Sequence, residues 1–142
     1  MTCEQHLRLA PRTDELPKLA EAIEHFAEEQ ALDPSLAMQL NLVLDELLTN
    51  IATHGSAHPE QPVTWVEVTL LRANDRLEIT LADDGPQFDP REAPAPDLDA
   101  DVEARKIGGL GLHFVRHFTD RMHYAREDGQ NILTLHKQLA AD

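Results

Sequence analysis

Glu46 and Asn50 stand four residues apart in a stretch of helical periodicity, so their side chains are neighbours on one helix edge. A carboxylate beside a carboxamide suits a base next to a metal ligand, because asparagine offers a hard oxygen without competing charge. The same pair also fits a solvated helix edge with a local hydrogen bond. Asp83-Asp84-Gly85 closes an alternating stretch. A carboxylate at a strand end, beside a glycine turn, can accept a hydrogen from the exocyclic amine of a base, and Asp-Gly is equally ordinary turn chemistry. Gly108-Gly109-Leu110-Gly111-Leu112 precedes a helical pattern. Glycines let a ligand approach the backbone, and a helix start turns free N–H groups and a positive dipole end toward an anion. Many helices begin this way without holding one.

These residues need elements to position them. Cys3 to Ala10 alternates and predicts a strand. Thr13 or Asp14 can cap a helix running to about Gln30, with Leu16, Leu19, Ile23 and Phe26 on one stripe. Asp33-Pro34 starts a second helix, which runs to about His54 and is stopped by Gly55. Val63 to Arg72 and Arg76 to Asp83 form two strands about an Ala73-Asn74-Asp75 turn. A helix opens at Gly109-Leu110-Gly111, and a last hairpin pairs Met122 to Arg126 with Asn131 to Lys137 around Asp128-Gly129. Trp65, Tyr124 and a small buried Cys3 read as packing. His113 and His117 read as a partly exposed helix face. The order is β-α-α-β-β-lid-α-β-β. With helices enough for one face only, the expected fold class is α+β: a two-layer sandwich, one mixed sheet under the helices. One domain over residues 1–142 is expected from length.

Composition narrows the function classes. The 12 Lys+Arg against 26 Asp+Glu give a net charge of −14. A protein that tracks a phosphate backbone needs the opposite sign, so nucleic acid is excluded as a partner, and anionic membrane surfaces are disfavoured on the same ground. No apolar run approaches the ~18 residues of a membrane span. The N-terminal stretch is polar where a secretory signal would be apolar, so a cytoplasmic location is expected. One cysteine allows no internal disulfide. Half of the net charge sits in one segment: between Asp83 and Glu103, eight acids face the single base Arg91. Pro86, Pro90, Pro94 and Pro96 break the same segment, so residues 86–107 read as a long lid or binding loop rather than a helix or strand.

The order of the three constellations is more specific than any one of them. Glu46-Leu47-Leu48-Thr49-Asn50 through His54-Gly55 resembles an N box, Asp83-Asp84-Gly85-Pro86-Gln87-Phe88-Asp89-Pro90 a G1 box, and Ile107-Gly108-Gly109-Leu110-Gly111-Leu112 through Arg116 a G2 box. The chain thus resembles the GHKL ATPases, which share the Bergerat (histidine kinase-like ATPase) fold. Within them it is similar to the anti-sigma-factor serine/threonine kinases of the RsbW/SpoIIAB type, through its length, the form of its G1 box and the closing run from Gly129 to Leu135.

That resemblance implies ATP and Mg²⁺ as ligands. It implies Glu46 as general base, Asn50 as the Mg²⁺ ligand, Asp83 as acceptor of the adenine amine, and Gly85 as the gap against which the base packs. Gly108, Gly109, Leu110, Gly111 and Leu112 would cradle the phosphates, and Arg105 or Lys106 would reach the terminal one. The implied partner is a STAS-domain anti-sigma antagonist, with a sigma factor or another regulator as a second partner, and the implied assembly is a homodimer. The alternative function is an ATP-dependent module that sequesters partners without phosphotransfer. Two departures mark this chain: Gln87 stands where the wider superfamily has a second G1 glycine, and Asn131 stands where some relatives have threonine.

Overall fold

Strand β3 (Arg76–Asp83) buries every second residue, Leu77, Ile79, Leu81 and then Asp83, so the alternation that builds the core ends on a carboxylate. The computed structural model describes residues 2–56, 59–92 and 109–139. Before β3 lie β1 (Thr2–Leu9), a 3-10 turn (Thr13–Glu15), α1 (Leu16–Glu29), α2 (Pro34–Ser56) and β2 (Val66–Ala73). After it come a second 3-10 turn (Pro90–Glu92), α3 (Gly109–Phe118), β4 (Arg121–Glu127) and β5 (Gln130–Gln138).

The strands form one five-stranded sheet in the order β1-β2-β3-β5-β4, and every neighbouring pair is antiparallel. The α+β, helix-over-sheet reading holds, but the expected mixed sheet does not. The reason lies in the last hairpin. The connection through α3 sets β4 parallel to β3, and the tight Asp128-Gly129 turn, with φ of 52° and 76°, folds β5 into the slot between them. The register of that slot places Asn131 directly across from Asp83, on the same face.

Helices and sheet share one hydrophobic cluster. Ile23 and Phe26 of α1, Leu40, Val43, Leu44 and Leu48 of α2, and Val115 of α3 meet the inner row Val66, Val68, Ile79 and Leu135. Each such side chain contributes roughly 2 kcal/mol on burial, so packing rather than helix propensity holds the helices. On the other face of the sheet, Glu67 is exposed, and Glu78, Thr80 and Thr134 are half-buried.

Local chemistry departs from the sequence reading at five places, the first being α1, which starts at Leu16 after the 3-10 turn with neither Thr13 nor Asp14 capping it. Asp33 caps α2 as expected, its Oδ1 accepting the Ser35 N–H at 2.8 Å. Gly55, however, does not stop α2, which continues to Ser56. Its lack of a side chain serves packing: a Cβ there would lie 2.5 Å from Cγ2 of Val63, and one on Gly85 would lie 2.4 Å from the same atom. Val63 thus fills a notch between the end of α2 and the turn after β3. Strand β2 begins at Val66 rather than Val63, because Asp84 engages the backbone of Thr64 and Trp65 before the ladder starts. The segment read as lid contains a 3-10 turn at Pro90–Glu92, and Cys3 is half-exposed on β1 rather than buried.

The notch makes a prediction. Alanine is favoured over glycine in a helix by about 1 kcal/mol, yet Gly55→Ala will destabilise the protein by roughly 1–3 kcal/mol through overpacking against Val63. In a Val63→Ala background the same substitution will be neutral or stabilising. Denaturant unfolding of the four proteins of this double-mutant cycle measures the coupling.

Candidate functional site

A narrow cleft opens where α2, β3 and the β4–β5 hairpin converge under the turn that follows β3. Its walls are apolar: Leu47 and Ile51 from α2, Leu81 from β3, and Leu133 from β5. Asn50, Asp83, Tyr124 and Asn131 supply the polar groups, and Phe88 and Pro90 close one side. An adjoining cleft shares Ile51, Asp83, Phe88 and Asn131 and reaches His54, whose ring lies 4.4 Å from that of Phe88. An apolar slot with a few convergent polar groups is the usual form of a small-molecule site.

Asp83 is 6% exposed, which a carboxylate tolerates only with donors around it. Its Oδ1 accepts the Asn131 amide at 3.0 Å and the Gly85 N–H at 2.9 Å. Burial pushes the Asp83 carboxyl above the ordinary aspartate range, while those two bonds and the nearby Arg126 charge oppose the shift. The turn beyond it is held on several sides. The Gly85 carbonyl accepts Arg126 Nη1 at 2.7 Å and Gln61 Nε2 at 3.2 Å, and the Pro86 carbonyl accepts Asn131 Nδ2 at 2.8 Å. Arg116 of α3 donates to the carbonyls of Pro90 and Arg91 at 3.2 and 3.0 Å.

Asp84, one residue on, faces the other way and is a structural residue. Its Oδ1 accepts the N–H groups of Thr64 at 2.7 Å and Trp65 at 3.2 Å, and its Oδ2 accepts the Thr64 hydroxyl. Burial raises its pKa, but these bonds outweigh burial and hold it below the ordinary aspartate value.

Asn50 lines the cleft from α2, and Glu46 lies one helical turn before it. The Glu46 carboxyl is raised by burial, and the neighbouring Asn50 amide favours its charged form. The Asn50 Nδ2 itself is buried, and the Glu46 carboxylate is the acceptor beside it. The donor set also fits Mg²⁺, a hard cation that takes one or two protein oxygens together with phosphate oxygens and water. Asn50 offers such an oxygen.

Of the residues singled out in the sequence, the structure brings Asn50, Asp83 and Gly85 to one place, with Glu46 beside Asn50. Gly109, Leu110, Gly111 and Leu112 form the first turn of α3 as expected, and Leu112 is buried in the core. Gly108, Arg105 and Lys106 lie outside the described residues. His113 and His117 do form a pair on α3, with Nε2 atoms 3.0 Å apart. No group of three or more His, Cys, Asp or Glu among the described residues could hold a metal. Three site residues escaped the sequence reading. Tyr124 looked like packing but lines the cleft; Phe88 lines it too; and Asn131 looked like a departure but is bonded to Asp83. The Asp128-Gly129 turn fixes the pairing of β5 with β4, but only the β3–β5 register sets Asn131 opposite the end of β3, and no local signal gives that register.

Fold and cleft define a two-layer α+β domain with an apolar slot over the end of β3. Residues 9–137 match the family described as the histidine kinase-like ATPase domain, and the chain belongs to that family. Serine/threonine-protein kinase BtrW of Bordetella bronchiseptica is 34% identical over 113 residues, covering 80% of this chain and 78% of that protein. Serine-protein kinase RsbW of Listeria monocytogenes is 28% identical over 98 residues, covering 66% of this chain and 61% of its own. The fold recurs in the crystal structure of the RsbU and RsbW domains of a Mycobacterium tuberculosis protein, with a TM-score of 0.66, 15% identity, and coverage of 99% of this chain and 33% of that one. It recurs in the Pseudomonas aeruginosa SiaB–SiaC complex, with a TM-score of 0.61, 18% identity, and coverage of 94% and 87%. The similarity to the RsbW type holds, and the expected enzyme class, protein serine/threonine kinase, is that of these curated relatives. No helix among the described residues is long and apolar enough to cross a membrane.

The opposed environments of Asp83 and Asp84 give a test. Asp84→Ala will cost about 2 kcal/mol at neutral pH through lost charge-assisted hydrogen bonds. A depressed folded-state pKa means that the wild-type advantage is full above the unfolded value of ~3.9 and is lost as pH falls through the folded value. Denaturant midpoints of both proteins, measured from pH 7 down to strongly acid, will therefore converge only below the ordinary aspartate range.

Proposed function

We propose that this chain binds Mg²⁺-ATP in the cleft and transfers the γ-phosphoryl group to a serine or threonine of a STAS-domain antagonist protein, as one component of a partner-switching circuit. The observation that carries the reading is the buried Asp83 acceptor at one end of an apolar slot, with the Asn50 amide on the slot's wall and Glu46 one turn away. The apolar walls suit the faces of a purine, and Asp83 suits its exocyclic amine.

The roles follow from the positions. Asn50 would hold Mg²⁺ through its carboxamide oxygen, and the bound ion would neutralise phosphate charge. The first turn of α3, from Gly109 to Leu112, offers N–H groups and a dipole end for the phosphates, and the resemblance adds Gly108 and Arg105 as further phosphate ligands. Glu46 would take the proton of the attacking hydroxyl. The hydroxyl oxygen bonds to the γ-phosphorus, the bond to the bridging oxygen breaks, and ADP leaves. Phosphoryl transfer depends on positioning and charge neutralisation more than on covalent help from the protein. A partner protein as substrate is supported by the kinase names of the curated relatives and by the neighbour solved in complex with SiaC.

The test has two stages. Mg²⁺-ATP at about 100 times its dissociation constant should stabilise the wild type by roughly 2.7 kcal/mol, and the shift should vanish in Asn50→Ala. No shift with any nucleotide overturns the reading. Glu46→Gln should keep the thermal shift while transfer of ³²P from ATP to a STAS-domain partner protein falls by roughly 10²–10⁴-fold. ATP binding with no transfer by the wild type would leave the partner-sequestering module in place of the kinase.

A further inference from the structure

Asn131 has no hydrogen-bonding capacity left for a ligand. A carboxamide carries two N–H donors and two acceptor lone pairs. Here Nδ2 donates to Asp83 Oδ1 at 3.0 Å and to the Pro86 carbonyl at 2.8 Å. Its Oδ1 accepts the Phe88 N–H at 3.2 Å and the Tyr124 hydroxyl at 2.5 Å. The partners also fix the orientation of the amide, because a backbone N–H can only donate and a carbonyl can only accept. The side chain is 6% exposed. Asp83 is the complementary case. Both of its bonds fall on Oδ1, from Asn131 and from Gly85, and Oδ2 accepts none among the described residues.

We infer that Asn131 is a positioning residue that sets purine specificity: it touches no base, but it locks the Asp83 carboxylate so that Oδ2 alone is presented to the cleft, as an acceptor. The inference rests on the ATP reading above and deepens it. An acceptor held in one orientation bonds a 6-amino purine and meets the oxygen of a 6-oxo purine acceptor to acceptor. Such a mismatch leaves two buried polar groups unpaired, which is how a site rejects a near-isostere. Without the Asn131 donors the carboxyl is free to turn about χ2, or to take a proton and present a donor. Either change lets the 6-oxo purine in.

The experiment is calorimetric titration of the full chain with Mg²⁺-ATP and with Mg²⁺-GTP. The wild type should prefer ATP. Asn131→Ala should lose about tenfold or more of its ATP affinity while GTP binding holds or improves, so that the ratio of the two falls toward one. Asn131→Thr, which restores one hydroxyl donor, should recover much of the ratio. Asp83→Asn keeps an Oδ1 for both internal donors and sets an NH₂ where Oδ2 was, so its preference should turn toward GTP. A merely structural role for Asn131 would weaken both nucleotides equally, and that outcome overturns the inference. So does ATP discrimination that is unchanged in Asn131→Ala, or retained in Asp83→Asn if Asn131→Ala does not fold. A wild type that binds neither nucleotide overturns the ATP reading, and the inference with it.

Discussion

A carboxylate that continues the apolar row of β3 into the core is the constraint on which the rest of this molecule turns. Placing Asp83 in register with Leu77, Ile79 and Leu81 costs desolvation that no surface aspartate meets. The fold offsets that cost with groups of its own rather than with solvent. The β5 register sets Asn131 across from the acid, and the glycine turn brings back an N–H. Because the hairpin must reach the end of β3 to supply the amide, β5 has to lie between β3 and β4. An all-antiparallel sheet and a satisfied acid are two descriptions of one arrangement.

The same economy appears in the segment that follows. Two adjacent aspartates point to opposite sides and meet opposite fates, one raised by burial and the other lowered by hydrogen bonds. Asp84 ties the approach to β2, and Asp83 faces the cleft. The turn after them is anchored through its carbonyls by Arg126, Gln61 and Asn131, and a little further on by Arg116. A floor fixed this firmly pre-arranges a site, so that little ordering is left to be done when a ligand arrives.

Much of this was legible in the sequence, for reasons that can be named. Helix stripes, the Asp33 cap and the Asp128-Gly129 turn are local signals, and local signals survive folding. The three motifs were legible because their chemistry is tied to residue type and order. What escaped was set by tertiary partners. Gly55 looked like a helix stop because its true reason, Val63, stands eight positions away across a loop. Asn131 looked like a departure because its role depends on strand register, and a sheet read as mixed does not put it opposite Asp83. Tyr124 looked like packing because a hydroxyl's partner cannot be read from the strand that carries it.

The Val63 notch has a consequence for how such sequences drift. Two glycines, at the end of the helix that carries Asn50 and in the turn that follows Asp83, lean on one valine methyl. The three positions are separated along the chain yet form a single steric unit. A side chain at position 55 crowds the Val63 methyl, and one at position 85 crowds both that methyl and Asp83 Oδ1, so either is better tolerated once position 63 has become smaller. The order of substitution is thereby biased, and descendants of this chain that carry a side chain at position 55 or 85 should more often carry a smaller residue at position 63.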